Sequence, residues 1–316
     1  MPAGDLLVSS TIHKVCQSAR PYTGRKIQLV SDTALTGIIL YELIQIRGND
    51  AEEFLQGQLT QDVAGLKVAI SLPTAWCNAK GRVVTLVRLL ALQDSIGLVV
   101  PASLVDAVMQ RLTLYRLRAD VNIERSNEEW ACVAVREADA FERLDAVGLL
   151  PDANAACSGH GLIAVDYSAT DRFIEIFGSS DAFGKAGLKF DATLSNEDHA
   201  TMKIRAGLAE ITAANTEKYT PHMLNLDRIG AISFDKGCYT GQEVVARTEH
   251  LGHSKRRLLH YRCDAPGVAI GDKVSDGERD VGDVVNVSGA DLLAVTPVAM
   301  HDQLLTINGA TATPAG

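Results

Sequence analysis

The sequence predicts an α+β protein of two or three domains that ends in a small β-barrel or sandwich. Three observations carry that expectation. At 316 residues the chain is too long for one typical core. Up to about residue 253, apolar runs of strand length alternate with stretches of helical period. Beyond Ser254 the texture changes to short apolar runs broken by Gly and Asp.

Composition narrows the function classes. Hydrophobic residues make up 47% and charged residues 22%, enough to bury a sizeable core. A formal charge of −9 argues against general nucleic-acid affinity, because phosphate binding needs clustered Lys and Arg, so direct nucleic-acid binding is not expected. No run approaches the roughly 20 apolar residues that span a bilayer. Met1–Arg20 lacks an uninterrupted apolar core and a basic start, which makes it a poor signal peptide. Cys16, Cys77, Cys132, Cys157, Cys238 and Cys263 lie at least 25 residues apart, without a Cys-x-x-Cys clamp. Scattered thiols suit a reducing compartment, so a cytoplasmic protein is expected. Nothing marks an obligate dimer surface, and a monomer is the default.

The elements follow in order. Ile38–Ile46 reads as a buried strand that stops at Gly48-Asn49-Asp50. Ala51, Phe54, Leu55 and Leu59 have helical spacing, with Asp50 and Glu53 placed for a capping box. Arg82–Leu92 and Ile96–Val100 are strand-length runs. Pro101 can open a helix whose inward face is Leu104, Val105, Val108, Leu112 and Tyr115. Arg111, Arg116 and Arg118 along it are expected to be exposed. The pattern restarts near Glu128, with strands at Trp130–Val135, Gly161–Tyr167 and Arg172–Phe177 among helical stretches. Ser195 and Gly207 bracket a capped helix. Leu258–Cys263, Asp280–Val287, Leu292–Val298 and Gln303–Ile307 are the strands of the last unit, and Gly309–Gly316 reads as a disordered tail.

The richest stretch is Ile232–Leu251, ISFDKGCYTGQEVVARTEHL. A strand end gives way to Lys236-Gly237-Cys238-Tyr239. Thr240-Gly241-Gln242-Glu243 then has capping-box spacing, ahead of a helix that turns Val244, Val245 and Thr248 inward. Cys238 therefore sits just before a helix N-terminus with Lys236 nearby, both of which favour a thiolate. Two readings stand side by side. Cys238 is an activated thiol, or it is a small buried hydrophobe beside turn glycines, with Glu243 serving only the cap.

The run Lys236–Glu243, KGCYTGQE, resembles the signature of the YgfZ family of folate-binding proteins. Ile204–Asn215 (IRAGLAEITAAN), Tyr219–Leu226 (YTPHMLNL), Val244–Arg247 (VVAR), Phe54–Asp62 (FLQGQLTQD) and Cys77–Arg82 (CNAKGR) resemble its other motifs in the same order. The resemblance implies the fold of the related glycine-cleavage T-protein: two interlocked α+β domains and a C-terminal β-barrel around a central channel. Residues 1–125 together with 200–253 would form the folate-binding domain. Residues 126–199 would form a second, ferredoxin-like domain, and 254–316 the barrel with its tail. Tetrahydrofolate or a derivative is the implied cofactor. Cys238 and Lys236 are the implied catalytic residues. Tyr239, Gln242, Glu243 and Arg247 would line or support the cofactor, with Asn215, Asn225, Asn78 and Lys80 approaching from other motifs.

The family acts in maintenance of iron–sulfur enzymes and in tRNA modification, so iron–sulfur client or assembly proteins are the implied partners. One departure separates this chain from the T-protein. Where that enzyme carries an Asp pair, Asn78–Leu86 has no acid, and Thr85 and Leu86 stand instead. Aminomethyl transfer assisted by an acid from that strand has no candidate group. Folate-dependent one-carbon transfer and a folate-free adaptor role are the alternatives. His250 and His253, three apart, have no ligand-like partner nearby in sequence, so no metal site is expected. Arg247, Lys255, Arg256 and Arg257 form a short basic run that reads as solvated surface, the alternative being a contact for folate carboxylates, RNA phosphate or an acidic partner. Trp76 and Trp130 read as core residues.

Overall fold

In the computed structural model the described residues are 41–126, 130–168, 171–190, 192–252 and 254–315. Residues 38–40 of the first predicted strand and His253 lie outside them. Three β-structures are built in succession, as the change of sequence texture implies.

The first is a five-stranded antiparallel sheet. Its strands are β1 (Tyr41–Arg47), β2 (Ser71–Cys77), β3 (Val83–Ala91), β4 (Ile96–Pro101) and β5 (Asn122–Arg125), in the order β2-β3-β4-β1-β5. Helix α1 (Ala51–Gln56) follows β1, and α2 (Val105–Tyr115) joins β4 to β5. The expected apolar face of α2 holds: Leu104, Val105, Val108 and Leu112 are buried. Arg111 departs from expectation. It is buried on that face, 2.9 Å from Glu217 and over the Trp76 ring. An arginine can sit there because its charge is paired and its stem packs. The Asp50–Glu53 capping box does not form. Asp50 is the N-cap residue, but its carboxylate accepts from the Asp120 amide at 2.7 Å instead of from the helix.

The second is a four-stranded antiparallel sheet of β6 (Trp130–Val135), β7 (Ala156–Gly159), β8 (Leu162–Tyr167) and β9 (Phe173–Ser179), ordered β6-β9-β8-β7. Helices α3 (Ala138–Ala146) and α4 (Ser180–Lys185) cover one side. Its other side packs Phe173, Phe177 and Val165 on Leu43, Leu90 and Val99 of the first sheet. Helix α5 (Asn196–Arg205) then brings the chain back. It is capped as the sequence predicts, with Ser195 Oγ accepting from the Asp198 amide at 3.0 Å. After α5 the chain rejoins the first core: Ile204, Ile211, Leu224, Ala231 and Val245 share one apolar cluster with Ile44, Leu55 and Leu89. Helix α6 (Gln242–Leu251) belongs to this return.

The third is a closed barrel of β10 (Arg256–Arg262), β11 (Lys273–Ser275), β12 (Asp280–Ser288), β13 (Asp291–Pro297), β14 (Leu305–Ile307) and β15 (Ala310–Pro314). The segment read as a disordered tail corrects that reading. Residues 310–314 are β15, paired with both β14 and β10, and they close the barrel. Their alternating small residues give little apolar signal, and the backbone ladder holds the strand. Arg205 of α5 ties the barrel to the middle of the chain through Asp291 at 3.1 Å, and Asp291 also lies 2.7 Å from His260.

Candidate functional site

Two neighbouring features stand out: a cavity between the two sheets, and the signature loop behind its wall. The cavity offers about 90 Å³ to the centres of water-sized spheres and opens to solvent. Tyr41 of β1, Leu86–Arg88 of β3, Tyr167 of β8, Glu175 and Phe177 of β9 and Lys203 of α5 line it, together with Leu208, Ala209, Glu210, Leu226, Ile229 and Ala231 of the returning chain. Most of that wall is apolar. The polar groups in it are few and largely interlocked. Tyr167 donates to Glu175 Oε2 at 2.7 Å, and His199 Nε2 lies 2.7 Å from Glu175 Oε1. Lys203 donates to the Tyr41 hydroxyl at 2.6 Å, and the Arg88 guanidinium lies over the Tyr167 ring.

These contacts set the charge states. Burial alone pushes the Glu175 carboxyl up, but the His199 hydrogen bond and charge, then Lys203 and Arg88, outweigh it and hold the group at about 2. Burial, with the Glu210 carboxylate behind it, keeps the Tyr41 phenol protonated. Glu210 differs from the rest. Its backbone carbonyl accepts from Asn215 and Asn286, while its carboxylate has no hydrogen bond or ion pair among the described residues.

None of the polar residues of the cavity was singled out from the sequence. A signal was present for two of them. Arg88 is the only charge between Val83 and Leu92 in an apolar run, and Glu175 is the only one in FIEIF. A charge inside a buried strand must be paired or face a polar site. Tyr41, Lys203 and Glu210 carry no such local mark.

The signature loop lies one layer behind this wall. Thr60 is the link. Its hydroxyl donates to the carbonyl of Ala231 at 2.7 Å and lies 3.2 Å from the Thr74 hydroxyl, and both Ala231 and Thr74 line the cavity. The Lys236 ammonium donates to the flanking carbonyls of Leu59 and Gln61, each at 2.8 Å. Burial pulls that ammonium down to about 8, against the pull of Asp62. Tyr239 is buried below it, with Nζ 5.3 Å from its ring centre. Three motifs distant in sequence therefore meet: FLQGQLTQD, CNAKGR and KGCYTGQE.

Two glycines make the meeting possible. Gly241, at φ +84°, would place a Cβ 2.5 Å from the Asn78 carbonyl oxygen, and Gly81, at φ +67°, one 2.7 Å from Val244 Cβ. Only glycines allow these loops to touch in left-handed conformations. This also corrects the expected capping box at Thr240–Glu243. Gly241 is the N-cap, and no side chain caps α6. Of the residues expected inward on α6, Val245 is buried and Val244 is exposed.

The remaining residues named from the sequence are distributed as follows. Cys238 is exposed on the loop ahead of α6, whereas Cys77, Cys132 and Cys263 are buried. Gln242 is half-buried in the first turn of α6, and its amide donates to the Tyr239 carbonyl at 3.1 Å. Glu243 and Arg247 are exposed and paired with each other at 2.7 Å. Asn78 folds its own loop, its Oδ1 accepting from the amides of Lys80 and Arg82, and Lys80 is exposed. Asn215 is fully buried, donating to the carbonyls of Glu210 and Val285 and accepting from the Thr212 amide. Asn225 is left-handed, and its Nδ2 donates to Leu258 O of β10 at 2.9 Å. The two asparagines thus pin the returning chain to the barrel, and neither lines the cavity.

The Asn78–Leu86 strand has no acid, and Thr85 is buried with its hydroxyl on the Leu86 carbonyl. The cavity itself is not without carboxylates, because Glu175 and Glu210 arrive from other elements. His222, Asp227 and Glu249 lie close enough to hold a metal ion. Arg257 occupies both oxygens of Asp227 at 2.6 and 2.9 Å, which makes the group an ion-pair network.

No family model matches the chain. It is similar to tRNA-modifying proteins YgfZ from three bacteria. The one from Enterobacter sp. (strain 638) is 33% identical over 234 residues, 72% of this chain and 71% of that protein. The one from Edwardsiella ictaluri (strain 93-146) is 32% identical over 257 residues, 79% and 77% of the two chains. The one from Klebsiella pneumoniae (strain 342) is 31% identical over 260 residues, 81% and 79%. Among solved structures, the glycine cleavage system aminomethyltransferase T from Bartonella henselae matches with a TM-score of 0.67 at 17% identity, covering 88% of this chain and 84% of that one. That likeness establishes the fold: α+β sheets around a cavity, followed by a barrel.

Proposed function

The chain belongs to the family of the tRNA-modifying protein YgfZ, and within it we propose a folate-binding accessory protein that supports iron–sulfur enzymes and, through them, tRNA modification. The observation that carries the reading is the cavity between the sheets. Its donor set fits a tetrahydrofolate. Apolar walls at Leu86, Val87, Phe177 and Leu226 suit a fused ring and an aminobenzoyl group. The Glu210 carboxylate can accept from the amino edge of a pterin, and Lys203 or Arg88 can meet carboxylates. When bound, a folate supplies carriage of one-carbon units.

The acting group on the protein side is Cys238, an exposed thiol on the loop that Lys236 anchors one layer behind the cavity wall. A single cysteine does not hold an iron–sulfur cluster alone, so a cluster contact there takes its other ligands from a client protein or a small thiol. Lys236, bonded to the Leu59 carbonyl, and Thr60, bonded to the Ala231 carbonyl, connect that loop to the cavity wall.

The test is a thermal-shift titration of wild type, Cys238→Ala and Glu210→Ala with tetrahydrofolate and 5-formyl-tetrahydrofolate. Ligand at 100 times its dissociation constant stabilises by about 2.7 kcal/mol, which is readily measured. Wild type and Cys238→Ala are expected to shift alike, and Glu210→Ala less. No shift in wild type with either folate sinks the reading.

A further inference from the structure

We infer that the cleft outside the cavity seats an anionic tail, and that Arg228 makes the protein prefer folates carrying poly-γ-glutamate. The inference rests on the folate reading above and adds to it the form of the ligand. The cavity continues into a wider cleft, and Pro73, Arg88, Tyr167, Leu208 and Ile229 belong to the walls of both. One elongated ligand can therefore occupy the two spaces at once.

Charge changes along that path. In the inner cavity Glu175 and Glu210 face Lys203 and Arg88. In the outer cleft the acid in the wall is Asp166, and it is already bonded to Arg172 at 2.5 Å, to the Asn154 amide at 3.0 Å and to the Ser168 hydroxyl. Arg228, in the same wall, is exposed, and its guanidinium has no hydrogen bond or ion pair among the described residues. The uncompensated charge of the cleft is thus positive, in a chain whose net charge is −9.

The placement of Arg228 is built into the fold. Its amide donates to the Asn225 carbonyl at 2.9 Å, and Asn225 is held left-handed and tied to β10 through Leu258. That turn sets Ile229 at the junction of the two spaces and Arg228 in the cleft beyond it. An aromatic head followed by repeated carboxylates matches this order. A single exposed pair contributes little, but a chain of carboxylates keeps one anion near the guanidinium at all times.

The experiment measures dissociation constants of tetrahydropteroyl mono-, tri- and pentaglutamate for the full chain and for Arg228→Ala and Arg228→Glu. Wild type is expected to bind triglutamate roughly three- to tenfold more tightly than monoglutamate at low salt, a ratio that shrinks at about 0.5 M salt. Arg228→Ala is expected to lower the ratio to under about twofold, with monoglutamate affinity unchanged, and Arg228→Glu to lower it further. Equal affinity of wild type for all tail lengths overturns the inference, as does an Arg228→Ala variant that keeps the wild-type ratio. Both outcomes leave monoglutamate binding intact, and so leave the folate reading standing. Absence of binding at every tail length removes that reading and this inference with it.

Discussion

Replacing His199 by Ala gives the sharpest test of the polar network in the cavity wall. His199 and Glu175 are each 2% exposed, and their atoms meet at 2.7 Å. The truncation strands one oxygen of an ionised, buried carboxylate and opens a void where the ring stood. Removing one partner of a buried pair in this way costs about 3–5 kcal/mol. At roughly 2–4 °C per kcal/mol, the midpoint of thermal unfolding should fall by on the order of 10 °C. The assay is urea denaturation at neutral pH of wild type, His199→Ala, Glu175→Gln and the double variant. The double variant should lose less than the sum of the two single losses, because Glu175→Gln leaves no charge to strand. A His199→Ala loss below about 1 kcal/mol, or strict additivity, would refute the reasoning, since it would mean the carboxylate is hydrated rather than held by the ring.

Two further outcomes follow from the loops behind the wall. Gly241→Ala forces a Cβ against the Asn78 carbonyl at a positive φ and should cost about 1–3 kcal/mol in urea denaturation. Gly237→Ala, with nothing within 4 Å, is the control in the same loop, and equal midpoints for the two variants would contradict the close-approach argument. Lys236, held at about 8, should titrate near that value in NMR of the ¹³C-methylated protein, and a midpoint at the ordinary lysine value would count against its burial. The linked stability runs in a definite direction. Between about 8 and the unfolded value of 10.5 the unfolded chain holds the extra proton, so the lysine's contribution rises with pH across that window.

Much of the fold is legible in the sequence because its signals are local. Helix α5 has its Ser195 cap, α2 has its apolar face, and β10, β12 and β13 are apolar runs bounded by turns. The misreadings came where a distant group took over a local one. The Asp50 carboxylate went to the Asp120 amide, Gly241 replaced Thr240 at the cap, and β15 was held by neighbouring strands rather than by its own side chains. The signature loop was found because its residues are contiguous. The cavity was missed because its walls come from residue 41 to residue 231, and no spacing rule joins Tyr41, Glu175 and Glu210.

The return of the chain after α5 has a consequence for synthesis on the ribosome. The apolar cluster around Ile44, Leu55 and Leu89 is completed by Ile211, Ala231, Val245 and Val295. A nascent chain that has emerged only as far as residue 125 lacks the partners that bury that surface. At about 5–20 residues per second, the later partners follow tens of seconds to several seconds afterwards. The four-stranded middle sheet carries its own apolar cluster within 131–188 and can close first. The first sheet is therefore sealed after the middle sheet that follows it in the chain, and in that interval it is a natural client for holding chaperones.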